Sequence, residues 1–170
     1  MKKNIKILRI IATLDPKFGG PQHGIIESSK HLIQNGYKVD IVTIDKKKYL
    51  NLNLNYKNLR IINFSDSIGK DYRFSFKLFL WLLKSKKYYD YFIIHGLWQF
   101  PTLLARIVLK TKYFVFTHGM LDPFFRLNFF KKIKKQIYWY LIEYKNLQKA
   151  DSILLTSIGE RKCLKNTYVK

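Results

Sequence analysis

Short apolar runs rich in β-branched and aromatic residues recur along the chain, with segments of helical period between them. That alternation predicts βαβ units and a parallel sheet. Strands are expected over residues 5–12, 38–44, 59–64, 91–95, 113–117 and 152–156. Phe92-Ile93-Ile94 and Phe114-Val115-Phe116 are apolar throughout, as strands covered by helices on both faces are. Helices are expected over 24–34, 74–87, 101–109 and 129–149, with a last one starting near Ile158. Asn35-Gly36 is a helix stop. The stretch from Lys46 to Asn58 lacks a helical period and alternates Leu with Asn, so a loop or edge hairpin should join the second and third strands.

The longest helix has the clearest period. Phe130, Ile133, Ile137, Leu141, Tyr144 and Leu147 fall three or four apart on one face, and Lys131, Lys132, Lys134 and Lys135 crowd elsewhere. The apolar face is expected to pack on the sheet. The alternative is a basic amphipathic surface resting on anionic lipid, with Tyr138, Trp139 and Tyr140 at the interface.

The chain has 170 residues, 48% of them hydrophobic, which suits one compact α/β domain and excludes a disordered chain. Cys163 is the only cysteine, so no disulfide scaffold exists. No run reaches the roughly 18 apolar residues of a membrane span, and the basic, then apolar start reads as a first strand. A cytoplasmic protein is expected. The formal net charge is +21, yet only six of the 32 basic residues are Arg, the side chain that forks onto phosphates and guanine edges. Nucleic acid is therefore not the expected partner. A lysine excess fits compositional drift, an anionic membrane or a phosphorylated substrate.

Ligands of an open parallel sheet bind at the carboxyl ends of its strands. After the first strand comes Asp15-Pro16-Lys17-Phe18-Gly19-Gly20-Pro21-Gln22-His23-Gly24. Gly19 and Gly20 let backbone approach a ligand, and the following helix N-terminus favours an anion such as a diphosphate. Ile25-Ile26 stand where a Walker A loop needs Lys and Ser/Thr, and the G-x-G-x-x-G of nicotinamide-binding folds is missing. The fourth and fifth strands each end in His-Gly, at His95-Gly96-Leu97-Trp98 and at Thr117-His118-Gly119-Met120-Leu121-Asp122-Pro123. Two such histidines beside a glycine-rich anion loop suggest a shared polar cleft. A zinc pair lacks a third ligand at metal-site spacing, and no Ser or Cys occupies a nucleophile elbow.

These residues, together with Tyr138-Trp139, Glu143, Ala150-Asp151-Ser152, Thr156-Ser157 and Glu160, resemble the N-terminal domain of family 4 glycosyltransferases. The resemblance spans nearly the whole chain. It implies one half of a GT-B architecture: a Rossmann-like parallel sheet with helices on both faces, residues 1–170 forming the acceptor-side domain. It implies sugar transfer from a nucleotide-sugar with retention, without metal or other cofactor. By resemblance, His118 is the catalytic candidate beside the transferred sugar, Gly19 and Gly20 reach the donor diphosphate, and His95 and Asp122 line the acceptor side. The setting it implies is cell-surface polysaccharide or lipopolysaccharide synthesis, with a saccharide or lipid-linked acceptor and Lys131, Lys132, Lys134 and Lys135 on the inner membrane face. Full members carry a C-terminal nucleotide-sugar-binding domain with a pair of glutamates; Glu143 and Asp151 do not make that pair. The chain is therefore expected to be inactive alone, as a truncated or split half-enzyme. The rival expectations are a non-catalytic saccharide- or partner-binding module and a basic nucleic-acid-binding domain.

Overall fold

The computed structural model describes residues 5–45, 56–111, 113–121 and 129–167. Six parallel strands, β1 (Lys6–Ile11), β2 (Lys38–Thr43), β3 (Leu59–Asn63), β4 (Tyr91–His95), β5 (Phe114–Phe116) and β6 (Ser152–Leu154), form one sheet in the order β3-β2-β1-β4-β5-β6. All six lie where the apolar runs place them, with β5 and β6 shorter than expected. The order reverses between β1 and β4, where an open α/β sheet leaves its crevice. The join between β2 and β3 falls mostly at 46–55, outside the described residues.

Strand alternation sorts the core into two layers. Leu8, Ile10, Val42, Ile94 and Val115 pack with Leu78 and Leu82 of α2 (Phe76–Ser85) and with Leu104 and Val108 of α3 (Phe100–Val108). Ile11, Val39 and Ile41 pack on the other face against Ile25 and Ile26 of α1 (Gly20–Gln34). Burial near zero on both faces explains why these strands read as unbroken apolar runs. Ser75 caps α2 by accepting from the Leu78 N–H at 3.0 Å.

Two expectations change. α1 begins at Gly20, four residues before the expected start, because Pro21 fits a first helical turn, where its missing N–H costs nothing. The long helix runs as α4 (Phe129–Tyr138), a π-helical turn (Trp139–Glu143) and α5 (Tyr144–Lys149), followed after β6 by α6 (Ile158–Thr167). Its expected inner face is largely outside: Ile133, Ile137 and Leu141 are 45%, 56% and 62% exposed, while Trp139, Glu143, Asn146 and Leu147 are buried. The inner face carries two polar residues, and the wide π turn shifts its phase, so the apolar period lies on the solvent side up to Leu141 and turns inward at Tyr144 and Leu147. Trp139 is thus a core residue, Tyr138 is half-buried against Trp98, and only Tyr140 of the three aromatics projects outward.

Candidate functional site

The site lies at the carboxyl ends of β1, β4 and β5. Pairing places Ile11 beside His95 and His95 beside Phe116, so Arg9, Ile11, His95, Phe116 and His118 share the sheet face that α1 covers. His95 is 1% exposed at the end of β4, and its Nδ1 lies 2.9 Å from Nε2 of half-buried His118. Phe116 stacks on His118 with ring centroids 4.5 Å apart. His118 holds a left-handed backbone, φ 51°, a conformation costing a non-glycine residue about 1–2 kcal/mol.

Neighbouring groups hold that conformation. Glu160 accepts hydrogen bonds from the Thr117 hydroxyl, from the Gly119 N–H at 2.8 Å and from the Thr156 N–H and hydroxyl, each at 2.8 Å. Burial raises its carboxyl pKa, but these donors outweigh it and hold the group below its ordinary range. On the β4 side, Gly96 has φ 87°, and a Cβ there would meet Gln99 Oε1 at 3.1 Å. Leu97 N–H donates to Met120 Sδ at 3.1 Å and Trp98 Nε1 to the Met120 carbonyl at 3.3 Å, stitching the two His-Gly turns together. Glu143, at the end of the π turn, accepts from Trp98 N–H and Thr102 Oγ1, and burial pushes its pKa up to about 7.

The glycine loop forms the third wall. Gly19 is the N-cap of α1 at φ 71°, and among the described residues no side chain caps the helix, which leaves its first N–H groups for a ligand. Gly20 and Gly24 have no positive φ, and a Cβ on either would meet none of the described residues within 4 Å. Neither packing nor backbone conformation requires glycine there; both border open space. A cavity of about 440 Å³ is lined by Arg9, Gly20, Gly24, Ser28, His118 and Thr156. A second, of about 350 Å³, runs along Phe18, Arg73, His95, Gln99 and His118. They meet at the histidine pair.

Burial is the largest cause lowering both imidazoles, with the Arg9 charge adding to it: His118 falls to about 4, against the attraction of Glu160, and His95 lies well below its usual range. Both are neutral near pH 7. Their facing nitrogens are spent on each other, and among the described residues no three His, Cys, Asp or Glu gather as metal ligands would.

Of the residues marked from sequence, Gly19, Gly20, His95 and His118 come together here. Asp122 lies outside the described residues, as do the side chains of Lys131, Lys132 and Lys134; the Lys135 ammonium lies over the Trp98 ring at 5.3 Å. Sequence reasoning missed Arg9, Arg73 and Asp45. Asp45 is 1% exposed, accepts from Leu14 N–H and Thr13 Oγ1, and pairs with Arg73 at 2.9 Å, which fixes the entry to the glycine loop. A charged residue inside an otherwise apolar strand was the available signal for Arg9.

Comparison with protein families gives a match to Glycosyltransferase Family 4 over residues 18–169. The chain belongs to that family. A search of curated proteins gives no match. In a family 4 glycosyltransferase domain, a cleft walled by an uncapped helix N-terminus, open glycines and neutral histidines is suited to sugars and to anions attached to them.

Proposed function

We propose that this domain is the acceptor-binding half of an enzyme that transfers a sugar from a nucleotide-sugar, with retention, to a saccharide or lipid-linked acceptor of cell-surface polysaccharide or lipopolysaccharide synthesis. The observation that carries the reading is the open space over Gly20 and Gly24 at the uncapped start of α1, adjoining His118. The α1 N-terminus would stabilise negative charge growing on the leaving diphosphate, and His118 would hold the donor sugar against it. His95 and Asp122 would border the acceptor, and a C-terminal half-enzyme would complete the nucleotide pocket.

The exposed stripe Ile133, Ile137, Tyr140 and Leu141 supports a peripheral position on an anionic membrane, at the cytoplasmic face where a lipid-linked acceptor would be presented. Lys131, Lys132, Lys134 and Lys135 belong to the same helix and would attract anionic headgroups. No helix among the described residues is long and apolar enough to cross a membrane.

Titrating a nucleoside-diphosphate sugar into ¹⁵N-labelled protein tests the cleft, with inorganic pyrophosphate in parallel. Saturable shifts at the amides of Gly19, Gly20, His118 and Gly119 are expected. Shifts confined to other surfaces would overturn the assignment.

A further inference from the structure

We propose that Arg9, acting through His95, fixes the tautomer of His118, so that its imidazole meets the ligand as a hydrogen-bond donor at Nδ1. Arg9 lies in the middle of β1, 3% exposed, ahead of the segment that matches the family. Its Nε–H donates to His95 Nε2 at 3.2 Å, and Nη1 donates to the Ile25 carbonyl at 3.1 Å and to the Ser28 and Ser29 hydroxyls at 2.8 Å each. The serines spend their own protons on α1 carbonyls, Ser28 on Gly24 and Ser29 on Ile25, each at 2.6 Å, which leaves their lone pairs for the guanidinium.

The direction of the chain follows from what each group can do. A guanidinium has donors only and keeps its protons. His95 Nε2 must therefore present a lone pair, and the single proton of the neutral ring sits on Nδ1. That nitrogen faces His118 Nε2 at 2.9 Å and donates to it. His118 Nε2 is thereby an acceptor, and its own proton is on Nδ1. Turning the His95 ring over would place carbon against both partners and lose both bonds, so the network itself assigns the ring.

A second proton on His118 Nε2 would oppose the His95 Nδ1–H, so the relay keeps the ring neutral from the inside. The charges acting on His118 are Arg9 on β1 and Glu160 on α6, with neutral His95 on β4 between the ring and Arg9. Among the described residues no carboxylate pairs with Arg9, whose pKa burial lowers to about 10. A buried guanidinium without a counter-ion is a costly strand residue. Serving as the fixed donor at the head of the relay, beneath the cavity of Gly20 and Gly24, accounts for its presence.

Arg9 and His95 are positioning residues, and His118 Nδ1–H would serve an acceptor oxygen of a sugar or its phosphate. Only the identity of that ligand rests on the reading of the cleft above. The tautomer can be read without any ligand.

The test is a long-range ¹H–¹⁵N spectrum of the full chain with labelled histidine at pH 7. His95 and His118 should each show a protonated Nδ1 and a bare Nε2; a proton on Nε2 of either ring overturns the proposal. Arg9→Met removes the fixed donor at similar length, and should give His118 mixed tautomers and raise its titration by about one unit or more. Arg9→Lys keeps a donor and should retain more of the single tautomer than Arg9→Met. An unchanged His118 spectrum in folded Arg9→Met would overturn the relay, and if that variant does not fold, the wild-type spectrum decides. Adding the nucleoside-diphosphate sugar separates the two readings: absence of binding with the expected tautomers removes the ligand assignment and leaves the relay standing.

Discussion

Glu143 shows how one residue can set a pH response. Its buried carboxyl accepts from Trp98 N–H, Thr102 and Asn146, yet burial raises its pKa to about 7. A carboxyl whose folded pKa lies above its unfolded value of 4.5 contributes stability that is full below 4.5 and is lost as pH rises through about 7. His118 has the opposite sign: its folded pKa of about 4 lies below 6.5, so acidification between those values works against the fold. Glu143→Gln removes only the first contribution. Urea denaturation should show the variant gaining on wild type between pH 5 and pH 8, by up to about 3 kcal/mol; an equal difference at both pH values would contradict the buried, protonated acid. Among the described residues the buried Asn146 Oδ1 has no hydrogen-bond partner, and an amide flip would let it accept from a protonated Glu143 or from Gln. His95, His118, Gly19 and Gly20 were legible because special residue types at strand ends and turns declare themselves. Glu160 was marked only through the family resemblance, and its hold on a turn 43 residues away was not legible; Arg9 was missed, because its role depends on a contact 86 residues away.

Among the elements, strands were the most legible, since their apolar runs follow directly from burial on both faces. α1 was misjudged at its start because Gly-Gly-Pro has the composition of a turn. The stretch 129–149 was correctly helical, but Ile133, Ile137 and Leu141 of its expected inner face turn outward while Tyr144 and Leu147 stay inside, because Glu143 and Asn146 occupy the inner face and the π turn breaks the single period on which the reading relied. α1 also offers a test of why it carries glycine. Gly24 lies in its second turn, where glycine costs about 0.5–1 kcal/mol relative to alanine and no neighbour excludes a methyl group. Gly24→Ala should raise the melting temperature by about 2–4 °C while weakening pyrophosphate binding measured by calorimetry. Greater stability with unchanged binding would show that the glycine serves no ligand.

For the whole molecule, the net charge of +21 acquires a direction only if the outer stripe of the long helix meets a surface. Ile137 and Leu141 are exposed, so charging them should leave the fold intact. Ile137→Glu with Leu141→Glu should reduce flotation with anionic liposomes on the order of tenfold, with neutral liposomes as the control. Equal flotation of wild type and variant would detach the stripe from any lipid role.

The grip of Glu160 on the Thr117–Gly119 turn has a consequence for biosynthesis. β1 pairs with β4 across about half of the chain, and the histidine turn is held by a carboxylate from α6. On the ribosome, all six strands emerge before that carboxylate does. A stalled nascent chain ending before Glu160 would present the sheet and the glycine loop while His118 lacks the acceptor that fixes its turn. The cleft is therefore finished last, and the cell meets the whole run of strands before it meets the closed histidine turn.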